Sequence, residues 1–233
     1  MYNIVLKEIL SKREKEKAKI LTRFFKTGPG QYGEGDKFLG ITVPVSRSIA
    51  KKYGELSLLD ISKLLESEYH EVRLVAILIL VHQYKKSKNE IDKKKIVNFY
   101  LKNTKYINNW DLVDLSAHYT IGDYLFDKEI KILEKLAKSK NLWERRIAII
   151  STFAFIYKGE SERTFKIVNM LMSDKHDLIH KACGWMLREV GKRVSEKDLI
   201  SFLDLNTNRM PRTMLRYAIE RLPENKRLYY LHK

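Results

Sequence analysis

Apolar residues recur along this chain at intervals of three and four, the spacing that places them on one face of an α-helix. Residues 3–25 combine this pattern with many charged positions and predict an amphipathic helix. The apolar run from Leu74 to Val81 has the composition of a buried strand, but the charged residues on either side continue its helical phase without turn residues. We therefore predict a buried central helix over 72–84.

The same spacing predicts further helices, and Pro44 lies where another would begin. Their ranges are 56–65, 92–101, 110–125, 129–138, 142–157, 161–172, 178–193, 196–203 and 211–222. No proline occurs between positions 45 and 210, so nothing there interrupts a helix. Helix pairs recur about every 35 to 45 residues, a HEAT-like spacing. The predicted fold class is all-α, a curved solenoid of HEAT-like antiparallel helix pairs in a single domain, 1–233.

The charge of the chain narrows the classes of partner. Forty-five Lys and Arg against 29 Asp and Glu give a net charge of +16. An excess of this size is typical of proteins that bind polyanions, nucleic acid first and anionic membrane surfaces second. A solvated, lysine-rich surface without a polyanionic partner is the alternative interpretation. Charge alone leaves both open.

Cysteine content and apolar runs indicate a soluble protein of a reducing compartment. Cys183 is the single cysteine, so no intrachain disulfide can form, and its apolar neighbours predict a buried, inert thiol. Charges from Lys7 onward leave no apolar signal region, and the longest apolar run is too short to span a bilayer. We expect a cytoplasmic protein, associated with the nucleoid when bound to DNA.

Two motifs that resemble ligand sites have structural explanations. Gly28 to Gly33 reads GxGxxG, but the preceding helix, Pro29 in the turn and the residues that follow exclude the dinucleotide-binding pattern. A flexible loop is predicted, and contact of its backbone amides with a phosphate is the lesser alternative. His176 to His180 resembles the HExxH zinc motif with Asp177 in place of Glu. A third ligand is missing, and Asp177 is better interpreted as a helix N-cap. No metal and no cofactor are predicted.

Trp110 and Asp114 form the most unusual pair in the sequence. They are four residues apart, so on a helix both side chains lie on one face. A carboxylate beside an indole is costly unless a cation or a hydrogen-bond donor meets it. His118, four residues beyond Asp114, could suggest an acid–base pair, but we interpret it as a structural histidine.

The predicted helix 178–193 has a second face of interest. Lys181, Trp185, Arg188 and Lys192 follow one another at intervals of four, three and four, so cations flank an indole. Gly184 beside Trp185 costs about 1 kcal/mol relative to Ala in a helix, which suggests a close approach to the backbone. A core tryptophan with basic neighbours is the simpler alternative. Trp143 is followed by Arg145 and Arg146, two guanidiniums suited to phosphates.

These segments together resemble the AlkD-like family of DNA alkylation repair glycosylases. The matching stretches are Phe38-Leu39-Gly40-Ile41 with Pro44 and Arg47; Trp110-Asp111-Leu112-Val113-Asp114; Asn141 to Arg146; and Ala182-Cys183-Gly184-Trp185 to Glu189. The resemblance covers 38–192, with weaker similarity outside. It implies a HEAT-like solenoid with a basic concave face that holds duplex DNA.

The resemblance also implies hydrolysis of the N-glycosidic bond of cationic N3- or N7-alkylated purines. By this resemblance Asp114 is the catalytic carboxylate, Trp110 and Trp185 contact the lesion, and Arg146 contacts the DNA backbone. The resemblance further implies that Trp110 and Trp185 contact the sugar of the lesion and that the enzyme has no base-flipping pocket. Other expected DNA contacts are Arg47, Thr42, Lys181 and Arg188.

The chemistry suits that assignment independently. An alkylpurinium base already carries a positive charge, so it can leave without a general acid. A fixed carboxylate can stabilise the oxocarbenium-like sugar and help place water. Indole faces add cation–π attraction of about 0.5 to 2 kcal/mol each.

Some features depart from the family, and rival functions stay open. Thr42 stands where the best-known enzyme of the family often has Gln, so the reach toward the opposite strand is shorter. The Gly-rich insertion at 28–36 could reshape DNA contacts. The partner expected is duplex DNA with alkylated bases, bound by a monomer without an obligate protein partner. The alternatives are a non-catalytic solenoid for branched or distorted DNA and a protein–protein scaffold.

Overall fold

The computed structural model describes residues 1–233 and is helical throughout, so the all-α prediction is confirmed. One isolated parallel bridge, Lys37 to Tyr69, is its only strand-like pairing. Contacts divide the chain into two compact units, Met1–Ser116 and Ala117–Lys233. The single domain expected from the sequence stays a prediction. No helix combines the length and apolar character needed to cross a membrane.

Unit 1 is built around the central helix predicted from the apolar run. Its helices are α1 (Tyr2–Ser11), α2 (Lys15–Phe24), α3 (Val43–Lys52), α4 (Leu58–Leu65), α5 (His70–Lys86), α6 (Glu90–Lys102) and α7 (Trp110–Asp114), with a 3₁₀ turn at Thr104–Tyr106. Every residue of α5 from His70 to Val81 is buried. Because the run from Leu74 to Val81 is apolar on all sides of α5, α3, α4, α6 and α7 can pack around this helix.

Unit 2 is organised around the long helix that carries Trp185. It begins with a π-helical turn, His118–Gly122, followed by α8 (Lys131–Ala137), α9 (Leu142–Ser151), α10 (Phe153–Tyr157), α11 (Glu162–Met170), α12 (Asp177–Arg193), α13 (Glu196–Asn206), a 3₁₀ turn (Thr207–Arg209), α14 (Arg212–Ala218) and α15 (Glu224–His232). α12 packs against α9, α13 and α14. Cys183 is fully buried in this packing, as predicted, and burial raises the pKa of its thiol.

Three predicted helices are interrupted, so their predicted extents were wrong. The helix over 3–25 breaks after α1, where Glu14 is extended and its amide donates to the Leu39 carbonyl at 2.8 Å. The helix over 110–125 stops at Asp114, and that over 142–157 breaks at Thr152. Gly122, in the π-helical turn, lets the chain approach α9 so closely that a Cβ would lie 2.1 Å from the Ser151 carbonyl oxygen.

The same pair of hydrogen bonds occurs before two of the helices, α5 and α9. The Ser67 hydroxyl accepts from the Tyr69 amide at 3.1 Å, and Arg73 donates to the Ser67 carbonyl at 2.9 Å. Ser139 and Arg145 reproduce this arrangement before α9, with both distances 3.0 Å. The two serines are 72 residues apart, which is two periods of about 36, within the recurrence that the sequence predicted.

Gly184 is explained by helix packing. A Cβ there would lie 2.4 Å from the Met214 carbonyl oxygen and 2.5 Å from the Tyr217 Cβ, so the close approach predicted from the sequence is that of α14. We expect Gly184→Ala to lower the free energy of unfolding by about 1 to 3 kcal/mol, because backbone of α14 must move.

Gly191→Ala, in the same helix, is the matched control for urea denaturation. The atom nearest to a Cβ at position 191 is the Cδ2 of Leu199, the end of a flexible side chain, so its cost should be smaller. Equal stability of Gly184→Ala and the parent would contradict this account of the packing.

Candidate active site

α7 presents Trp110 and Asp114 on its more exposed side. Its three intervening residues, Asp111 to Val113, are buried, whereas Trp110 and Asp114 are each half-buried. A helix of one turn places residues four apart on the same side, as expected from the sequence. The pair is therefore held on a fixed base and is accessible to a ligand.

The start of α7 is fixed by its cap. The side-chain oxygen of Asn109, which is fully buried, accepts from the Trp110 amide at 2.8 Å. The Asp111 carboxylate accepts from the Leu112 amide at 2.9 Å. Carboxylate and amide oxygens at a helix start satisfy amides that have no partner within the helix.

An aromatic stack sets the plane of the Trp110 indole. Trp110 stacks on Phe25 with centroids 5.2 Å apart and planes at 17°. Phe25 stacks on Phe38 at 4.9 Å, and Phe38 stacks on His70 at 4.7 Å. Phe24, 60% exposed, contacts the indole edge-on at 5.9 Å. Stacked rings restrict each other, so the indole is preorganised.

Beneath the stack lies a buried polar cluster, which we define as Asp36, His70, Arg73, Asn109 and Asp111. Asp36 accepts from Arg73 at 2.5 Å and from Asn109 at 2.9 Å. His70 has Nδ1 3.2 Å from Asp36 and Nε2 2.8 Å from Asp111. The cluster joins the loop before α3, the start of α5 and the start of α7.

Glu71, adjacent to the cluster, anchors the loop that leads to Thr42. Its carboxylate is 1% exposed and accepts from the amides of Leu39, Gly40 and Ile41 at 2.9, 2.8 and 3.1 Å. Gly40 has φ +83°, and a Cβ there would lie 2.1 Å from the Glu14 carbonyl oxygen. The Phe38–Ile41 motif therefore fixes the conformation of the loop before α3.

The expected DNA contacts of unit 1 are on the surface. Thr42, exposed, is the N-cap of α3, and its carbonyl accepts from the Ser46 amide at 3.0 Å. Arg47 is exposed on α3 near Lys85. Burial lowers the pKa of Lys85, and the Arg47 charge lowers it further.

Asp114 lies near a buried hydroxyl. Tyr100 and Ser116 share a hydrogen bond of 2.8 Å, and the Ser116 hydroxyl also donates to the Leu112 carbonyl at 2.5 Å. Burial raises the pKa of Tyr100, and the Asp114 charge acts in the same direction. Tyr100 therefore stays a neutral phenol beside the carboxylate.

In unit 2, Trp185 is half-buried on α12 and packs against Phe153, with ring centroids 5.7 Å apart. The cations on either side of it have acidic partners. Lys181 pairs with Asp177 at 2.7 Å, and Arg188 pairs with Glu220 and, at 3.6 Å, with Glu189. A phosphate contact by either cation would have to compete with these carboxylates.

The two adjacent arginines of α9 have structural partners. Arg146 is 5% exposed and donates to the Leu178 carbonyl at 2.6 Å. Arg145 donates to Asp174 at 2.6 Å and to the carbonyls of Ser139 and Lys140. The residues of this segment thus link α9 to the start of α12.

Residues of the HExxH-like motif (176–180) and of the Gly-rich loop form hydrogen bonds within the protein. His176, not Asp177 as predicted, is the N-cap of α12, and its Nδ1 accepts from the Leu178 amide at 3.1 Å. His180 Nε2 lies 2.5 Å from the Asp174 carbonyl oxygen. In the Gly-rich loop, the Gly30 amide donates to Glu34 at 2.8 Å. Each group is thus engaged within the protein.

The sequence did not single out the polar cluster, Glu71 or the aromatic stack. A signal for part of it was present, since His70, Glu71 and Arg73 are polar residues at the start of the apolar helix α5. Charged groups at the beginning of such a helix must find buried partners. Asp36 and Asn109, however, are far from α5 in sequence, and no spacing rule links them.

The sequence matches the model of the family described as DNA alkylation repair enzyme over residues 5–222, and the chain belongs to this family. The recognition made from the sequence is thereby confirmed, and the family has a role in the repair of alkylated DNA.

Among solved structures, a chain from Enterococcus faecalis described as a "predicted DNA alkylation repair enzyme" is similar in fold. The alignment covers 91% of this chain and 98% of that chain, with a TM-score of 0.70 and 17% identity. At that identity the likeness concerns the fold alone. Comparison with curated protein sequences gave no significant match.

Proposed function

We propose that this protein is a DNA glycosylase that hydrolyses the N-glycosidic bond of cationic N3- or N7-alkylated purines in duplex DNA. The observation that carries the proposal is α7, in which Trp110 and Asp114 share the exposed side of a turn whose remaining residues are buried. Membership of the DNA alkylation repair family supports it.

Asp114 is assigned the central chemical role. As the positively charged base departs, positive charge moves onto the deoxyribose, and a carboxylate in a partly desolvated position stabilises that charge. Its oxygen can also orient the attacking water. No proton needs to reach the leaving base, because that base is already cationic before the bond breaks.

Trp110 and Trp185 are proposed as aromatic contacts with the lesion nucleotide. A cationic sugar or base is attracted to an indole face by about 0.5 to 2 kcal/mol. The stack of Phe25 and Phe38 under Trp110 favours this role, because a fixed ring loses little conformational freedom on binding. Phe24 extends the same aromatic surface.

We propose five side chains as DNA contacts, which differ in how accessible they are to solvent: Thr42, Arg47, Lys181, Arg188 and Arg146. Thr42 and Arg47 are exposed, Lys181 and Arg188 are half-buried, and Arg146 is buried. The net charge of +16 supports binding to the DNA backbone, and a monomer suffices for this mechanism.

The direct test is release of free base. Purified protein is incubated with duplex containing 7-methylguanine or 3-methyladenine, and free bases are separated by chromatography, with unmethylated duplex as the control. Release from the methylated duplex alone is expected. Tight binding of branched or distorted duplex without release would favour the non-catalytic alternative.

Trp185→Ala is expected to lower the single-turnover rate of base release by about tenfold, because one cation–π contact with the lesion is lost. Trp185→Phe keeps an aromatic face and should retain most of the rate. Tyr229→Ala, which removes an exposed ring of α15, is the control. If Trp185→Ala and the parent release base equally fast at equal thermal stability, Trp185 has no role at the lesion.

A further inference from the structure

The buried polar cluster has a charge balance that depends on one side chain. Asp36 and Asp111 contribute two carboxylates and Arg73 one guanidinium, all at most 9% exposed. With a neutral His70 one negative charge would remain uncompensated in the interior, which is costly. With an imidazolium at His70 the four charges cancel.

The hydrogen bonds of His70 require the same protonation state. A neutral imidazole donates from one nitrogen and offers a lone pair at the other. Both ring nitrogens of His70 face carboxylate oxygens, at 3.2 Å and 2.8 Å. A lone pair opposite an ionised carboxylate is repulsive, so only a ring with a proton on each nitrogen satisfies both partners.

His70 reaches α7 along three routes. Its Nε2 binds Asp111, the second residue of α7. Its Nδ1 binds Asp36, which in turn accepts from Asn109, the cap of α7. Its ring stacks on Phe38 and also contacts Phe25, the ring on which the indole of Trp110 stacks.

We infer that His70 is a positioning residue, protonated at neutral pH, that holds α7 and thereby orients Trp110 and Asp114. The structural part of this inference is independent of the reaction, whereas its catalytic consequence rests on the proposed function.

The pH dependence follows from the groups that face the ring: Asp36 from the loop, Arg73 from α5, and Asn109 and Asp111 from the start of α7. Glu71, the next residue in the chain, is bound to three backbone amides. Burial acts to lower the pKa of His70, but the charges and hydrogen bonds of Asp111 and Asp36 outweigh it and raise the pKa from 6.5 to about 9. The stabilisation is therefore fully present below pH 6.5 and is lost as pH rises through about 9.

Protonation can be read directly by NMR. Long-range ¹H–¹⁵N correlation spectra of the full chain at pH 8, assigned by comparison with His70→Gln, should show one histidine with both ring nitrogens protonated. In Asp111→Asn, which keeps the side-chain shape and removes one carboxylate, that ring should lose its second proton at lower pH. A neutral His70 at pH 8 in the parent protein overturns the inference.

The catalytic consequence is measured as the single-turnover rate of 7-methylguanine release at pH 7. His70→Gln replaces a charged ring with donors on two separate nitrogens by a neutral amide with donors on one nitrogen. Asp111→Asn retains the imidazole but removes one of its carboxylate partners. Both should lose about tenfold to a hundredfold in rate, because small misplacements of catalytic groups have effects of that size. Affinity for duplex DNA should change by less than about threefold, since no DNA contact is removed. His82→Gln, also on α5, is the matched control and should keep the parental rate.

The outcomes separate the two proposals. If the parent protein releases no base, the proposed function fails, and the NMR experiment still tests His70. If the parent releases base and folded His70→Gln or Asp111→Asn does so at the parental rate, the positioning role is overturned while the glycosylase assignment stands. Should His70→Gln fail to fold, Asp111→Asn decides the question.

Discussion

Asp114→Asn is expected to lower the rate of base release by about two to three orders of magnitude while leaving duplex DNA bound. Asn has the size of Asp but no charge, so it cannot balance the positive charge that develops on the sugar. Half-burial of Asp114 strengthens the effect, because a charge shielded from water acts through a lower dielectric constant.

The measurement is single-turnover excision of 7-methylguanine with enzyme in excess, together with duplex affinity by fluorescence anisotropy at fixed salt. Affinity should be unchanged or slightly higher, because a negative charge has been removed near the phosphates. Asp127→Asn, at an exposed site, is the control for net charge. Parental excision by Asp114→Asn would refute the assignment of this carboxylate.

Glu71→Ala is expected to lower the free energy of unfolding of unit 1 by about 4 kcal/mol. The substitution leaves the amides of Leu39, Gly40 and Ile41 without their acceptor in a buried place. Each buried amide without a partner costs about 1 to 3 kcal/mol, with partial relief if water enters. The loop before α3 should loosen, and Phe38 with it.

Urea denaturation followed by circular dichroism measures this change. Glu68→Ala is the matched control, because Glu68 is exposed and bound to Lys37 only at the surface. It should have no measurable effect. The rate of base release by Glu71→Ala should also be lower than that of the parent, even at temperatures at which the variant is folded. The reason is that Phe38 belongs to the stack under Trp110. Equal stability of the Glu71 and Glu68 variants would show that the three amides find other partners.

The central helix and the choice of α7 could be predicted because both depend on local spacing. Apolar positions three and four apart identify α5, and the interval between Trp110 and Asp114 places both on one side of α7. Family membership could also be predicted, because short motifs occur in this chain in the order and at the spacing of the family.

Helix ends were predicted less well, since they depend on packing between distant segments. The break before α2 is fixed by the Leu39 carbonyl, and the π-helical turn after α7 is fitted to α9 through Gly122. Arg146 shows the same limit. Its sequence context indicated a phosphate contact, which stays a proposal, but did not reveal its burial or its hydrogen bond to the Leu178 carbonyl.

By itself the sequence determined a helical protein with an excess of positive charge, because periodicity and composition act residue by residue. Only the tertiary structure decided how Trp110 and Asp114 are supported. The side chains that support them, Asp36, His70 and Asn109, are more than 30 residues apart from one another. They meet because two buried carboxylates need cations and donors within hydrogen-bond distance, a requirement that arises only once the chain has folded around them.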